Sequence, residues 1–145
     1  MIISGYVYKF EEKIGNSDLS FDKDAICLWF YEKAMCRPTT IFCLPLYPEM
    51  HHLYDTADAI GVCRFQIKDD GIYCNMTTLD TPNGRLVSSL SDDEIKKSLR
   101  FGFQVVYSSG DTKGDKICKM ETFEIPYITL TSSNIKNQVE KIERD

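Results

Sequence analysis

The stretch "GVCRFQIKDDGIYCNMTTL", residues 61–79, constrains this chain more than any other. Two runs of alternating apolar and polar residues flank Asp69-Asp70-Gly71. A period of two is that of a strand with one face buried. Joined by so short a polar link, the two runs must return antiparallel, which predicts a tight β-hairpin with Gly71 at positive φ.

Strand signals recur on both sides of it. "IISGYVYKF" alternates from Ile2 to Phe10, "TTIFCLPL" is rich in β-branched and aromatic residues, and "LRFGFQVVY" repeats the pattern. "KICKMETFEIPYITLT" reads as one long strand that Pro126 should bulge or bring to an edge. "AICLWFYEKA" fits strand or helix equally. Residues 11–24 and "SSGDTKGD" are polar connections, and a third, "YPEMHHLYDTADA", carries both histidines.

Helix starts are fewer. Thr81-Pro82 opens one over "PNGRLVSSL", and Ser91 with Glu94 three residues later forms a capping box. Ile135, Val139 and Ile142 predict a C-terminal amphipathic helix over 133–145. The chain, 1–145, reads as a single α+β domain. Its expected form is a small curled sheet or β-barrel of mostly antiparallel strands with a few short flanking helices.

A net charge of −5 argues against nucleic-acid binding, which needs a basic face. No apolar run reaches the roughly 20 residues of a membrane span, and "MIISGYVYKF" lacks the form of a signal peptide. Cys27, Cys36, Cys43, Cys63, Cys74 and Cys118 form no CxxC pair. Several lie in apolar runs, where a thiol is a small buried hydrophobe with a raised pKa. Reduced cysteines are therefore expected, disulfides being the alternative. No cluster calls for a metal or an organic cofactor. Asp69-Asp70 and Asp92-Asp93-Glu94 read as turn and helix-start chemistry.

In order along the chain stand "GYVYKF", "LPLYPEMHHLYDTADAIGV", "FQIKDDGIYCNMTTLDTPNGR", "SLRFGFQVV" and "METFEIPYITLTSSN". This succession resembles the prohead (head maturation) proteases of tailed bacteriophages, a family that shares its fold with the herpesvirus assembly protease. The resemblance covers roughly residues 2–134 and implies a serine-peptidase fold. It places the chain in the host cytoplasm or in the prohead or virion, with capsid or scaffold proteins as partners and self-association possible.

The family's nucleophile is the serine two residues before the glycine of Ser-x-Gly-Phe. Aligned on Gly102 and Phe103, that position holds Arg100, a guanidinium that is permanently protonated and cannot attack a carbonyl. The resemblance thus implies a pseudoenzyme acting in capsid assembly. The alternative is an active endopeptidase that cleaves scaffold and capsid segments. It would use Ser98 as nucleophile, His51 or His52 as base, and Glu124, which matches the family's acidic residue. On a strand, Ser98 shares a face with Arg100 but is displaced by roughly 6.5 Å. His51 and His52 stand ten and nine residues before Gly61, Tyr54 seven, so an insertion in "YPEMHH" is needed to place either histidine. Reuse of the fold for an unrelated role, such as interference with a host enzyme, stays open.

Overall fold

The computed structural model describes residues 1–15, 17–36, 40–45, 59–107, 112–132 and 137–145. Its strands are β1 (Ile2–Lys9), β2 (Ser20–Phe21), β3 (Ile41–Pro45), β4 (Gly61–Lys68), β5 (Gly71–Thr78), β6 (Arg100–Tyr107), β7 (Thr112–Lys113), β8 (Lys116–Ile117), β9 (Phe123–Thr131) and β10 (Lys141–Glu143). The helices are α1 (Lys23–Trp29), α2 (Pro82–Ser88) and α3 (Asp92–Ser98). Seven strands form one curled sheet in the order β10-β1-β5-β4-β3-β9-β6, and β2-β8-β7 form a small second sheet. Within the large sheet only β3 and β9 run parallel. This is the expected α+β class, mostly antiparallel with short flanking helices.

The β4–β5 hairpin forms with Lys68 opposite Gly71, but for a different reason at the glycine. Positive φ among the described glycines belongs to Gly15 and Gly114, not to Gly71. What Gly71 supplies is space, since a Cβ there would lie 2.2 Å from the Tyr8 carbonyl oxygen of β1. The third strand of the sheet, rather than the turn, requires the glycine.

Both helix starts follow their local chemistry. The Thr81 hydroxyl accepts the Gly84 N–H at 3.0 Å, with Pro82 in the first turn. Ser91 and Glu94 exchange both bonds of the capping box at 3.2 Å each. The ambiguous run becomes helix: α1 is capped by Asp22 and continues as a π-helical turn, Phe30–Met35. Helical spacing brings Ile26, Trp29 and Phe30 to one face, and all three are buried. A strand would have sent Trp29 and Phe30 to opposite sides.

Two expectations are corrected. Residues 116–131 are not one strand but β8, a 3₁₀ turn at Met120–Thr122, then β9. Pro126 does bulge β9: the ladder shifts between Gln104 and Val106, whose partners are Tyr127 and Glu124. β3 meets β9 only from Ile128 onward, so the missing proline N–H costs no ladder bond on that side.

The C-terminal helix is the second correction. Residues 133–136 lie outside the described residues, and over 137–145 no helix forms: Lys141–Glu143 pair with β1 and Gln138 bridges to Arg100 of β6. The Phe101 N–H donates to the Asn137 carbonyl at 3.2 Å, and the Glu140 N–H to the Ser4 carbonyl at 2.8 Å. The segment thus links both edges of the curled sheet. Unpaired strand edges offer backbone partners that a short isolated helix cannot match.

The concave side of the sheet holds the core. Phe21 packs on Tyr8, Phe103 and Phe123 at ring-centroid distances of 5.4, 5.8 and 4.8 Å. Trp29 and Phe30 close over it, with Phe30 edge-on to Phe65 at 4.9 Å. Among the described residues no helix is long and apolar enough to cross a membrane.

Candidate functional site

Arg100 opens β6 directly after α3, and only 8% of its surface is exposed. Its backbone faces Thr131 of β9 on one side and Gln138 on the other. The side chain turns back on α3, where Nη1 donates to the carbonyls of Leu99 at 2.9 Å and Lys96 at 3.4 Å. The last carbonyls of a helix lack intrahelical donors and carry partial negative charge. A buried guanidinium there therefore caps α3 while its strand anchors β9 and the C-terminal segment. Two positions on, a Cβ at Gly102 would come within 3.0 Å of the Thr129 hydroxyl, so a small residue suits this face of the ladder.

Neither Ser98 nor Glu124 of the peptidase reading is gathered around it. Ser98 is not on β6: it is the last residue of α3 and exposed, and the backbone turns to extended only at Leu99. The strand geometry that would align Ser98 with Arg100 is therefore absent. Glu124 is exposed on β9 opposite Val106, seven residues from Thr131. At about 3.3 Å per residue it stands roughly 23 Å from the Arg100 end of the ladder, far beyond the reach of an orienting hydrogen bond. His51, His52 and Tyr54 lie outside the described residues. No nucleophile–acid pair is assembled from Ser98 and Glu124.

Beside the Arg100 end lies a surface pocket of about 250 Å³, with Pro45, Ile60, Leu86, Leu99 and Leu130 among its lining. Its walls come from the ends of β3 and β9, from α2, and from the joint between α3 and β6. These residues are distant in sequence, and no local pattern marks the pocket.

The cysteines form a second grouping. All six are free thiols. Ile41 faces Cys63 and Cys43 faces Gly61, while Phe65 faces Cys74 and Cys63 faces Met76. Cys43, Cys63 and Cys74 thus share one face and run diagonally across β3, β4 and β5. Burial pushes the Cys43 and Cys74 thiols up, as expected from their apolar strands. Burial opposes the Cys63 thiolate too, but thiol donation from Cys43 and Cys74 outweighs it and holds Cys63 below the ordinary value. The three sulfurs make a row rather than a ring, and among the described residues no group of three or more His, Cys, Asp or Glu side chains converges to hold a metal ion.

Two of the three were available in the sequence, since the hairpin register places Cys63 and Cys74 on one face. Cys43 joins them only through the pairing of β3 with β4. No protein-family model matches the chain, and no curated protein matches it either.

Proposed function

We propose that this protein is a non-catalytic capsid-assembly module of the prohead-protease type, retaining the architecture of that family without its nucleophile. The observation that carries the reading is the use made of Arg100. At the position where the resembling family attacks its substrate, the guanidinium is buried and caps the end of α3. A group committed to the backbone in this way supports the fold and leaves no acceptor for a proton-transfer step. The separation of Glu124 from Arg100 and the helical placement of Ser98 favour the same conclusion. Its partners would be capsid or scaffold proteins of a tailed phage.

A serine-reactive fluorophosphonate tests the catalytic half. The purified chain is expected to remain unlabelled, and labelling that Ser98→Ala abolishes would restore the peptidase reading. Peptide mapping of purified proheads and mature particles tests the other half. Intact chain in the particles supports a structural role, whereas its absence from both overturns the capsid assignment.

A further inference from the structure

We propose that Cys63 is a hydroperoxide-reactive modification site whose oxidised sulfur is captured by Cys43 or Cys74 as an intramolecular disulfide. The inference is independent of the capsid reading. It rests on three features of the β3-β4-β5 wall.

Access comes first. Cys63 is half-buried and lines a surface cavity of about 690 Å³ between β4 and the end of the π-helical turn. Ala34, Met35, Arg64 and Phe65 are among its other walls. Cys43 and Cys74 are fully buried behind it. Of the three, Cys63 alone is partly exposed and borders that cavity.

Proximity comes second. Cys43 and Cys74 flank Cys63 on the same face of the sheet, each one strand away and two residues out of direct register. Diagonal neighbours on adjacent strands sit about 7–8 Å apart at Cα. Disulfides usually span up to about 6.8 Å, so closure asks the backbone to give by about an ångström.

Reactivity comes third. The thiolate is the nucleophilic form, and two thiol donors stabilise it at Cys63. The exposed Cys36 and the half-buried Cys27 and Cys118 are not part of this row.

The chemistry balances with hydrogen peroxide, the simplest hydroperoxide, as the oxidant. The Cys63 thiolate attacks one peroxide oxygen, an S–O bond forms, the O–O bond breaks, and hydroxide leaves to become water. Cys63 is then a sulfenic acid. The sulfur of Cys43 or Cys74 attacks the Cys63 sulfur, an S–S bond forms, the S–O bond breaks, and a second water leaves with the thiol proton. Two thiols are oxidised and one peroxide is reduced.

The test treats the folded full chain with hydrogen peroxide, blocks the remaining thiols by alkylation, and maps the peptides by mass spectrometry. The expected product is a Cys63–Cys43 or Cys63–Cys74 cross-link lacking two hydrogens, formed at least about tenfold faster than oxidation of Cys36 or Cys118. Cys63→Ser should abolish every cross-link within the row while circular dichroism shows the fold retained. Cys43→Ala and Cys74→Ala, made singly, identify the capturing thiol by which cross-link survives. Where either variant fails to fold, trapping the sulfenic acid on the wild-type chain with dimedone reports Cys63 directly. Oxidation of Cys36 with Cys63 still reduced would overturn the proposal. So would cross-links that form only in denaturant.

Discussion

At one end of the β6–β9 ladder, Arg100 faces Thr131, buried between the end of α3 and Gln138. At the other end, Val106 faces Glu124, and both are exposed beside the Pro126 bulge. The same two strands thus carry one charge committed to the fold and one left in water. A buried charge persists only where it is paired or hydrogen-bonded, whereas an exposed carboxylate is free to be anything or nothing. Charge alone therefore does not mark a site on this ladder. The surroundings decide whether a charged residue is structure or surface.

Substitutions along the ladder can break that contrast. Arg100→Ala should have the largest effect, about 3 kcal/mol of lost stability by urea denaturation. It uncaps α3 and removes charge-assisted bonds to two carbonyls, each worth about 1.5–3 kcal/mol. A loss below about 0.5 kcal/mol would mean that the guanidinium is not committed to the fold. Next comes Val139→Ala, which opens space where this buried side chain seats the segment joining the two sheet edges and should cost about 2 kcal/mol. A wild-type melting temperature in that variant would show that the C-terminal segment contributes little to the Arg100 end.

The middle of the ladder responds to pH. Phe103 meets the Tyr8 ring at 5.9 Å, and burial pushes the Tyr8 phenol up to about 12. The folded state then holds this proton more tightly than the unfolded chain, whose tyrosines titrate near 10. The Tyr8 contribution is complete below about pH 10 and is lost as pH rises from there through about 12. Urea midpoints across that window should fall more steeply for the wild type than for Tyr8→Phe. Parallel curves would place the Tyr8 ring in water. The smallest change is expected from Glu124→Gln, within about 0.5 kcal/mol at pH 7. A loss comparable to that of Arg100→Ala would erase the difference between the two ends.

Much of the local structure is legible along the chain. The hairpin and the Thr81 and Ser91 helix starts each depend on contacts within a few residues, and the Pro126 bulge follows from a proline that cannot donate to the ladder. Where the reading failed, the competing partner was remote. Val139 and Ile142 have helical spacing, yet β1 and β6 presented edges that took the segment as extended chain. Ser98 looked like part of β6 because alternation extends through it, but the capping box at Ser91 carries the helix as far as Ser98. As for the candidate site, Arg100 stood out in sequence as a charge in an apolar strand. Its distance from Glu124 required the β6–β9 register.

By itself the sequence determined the strand-rich class, the hairpin turn and the helix starts, because alternation and capping are short-range chemistry. The tertiary structure decided that Gly71 supplies space rather than a turn, that Arg100 caps a helix, and that Cys43 joins Cys63 and Cys74 in one row. Each of these depends on which strand lies beside which, and that order is set by burying the shared core rather than by any local run of residues.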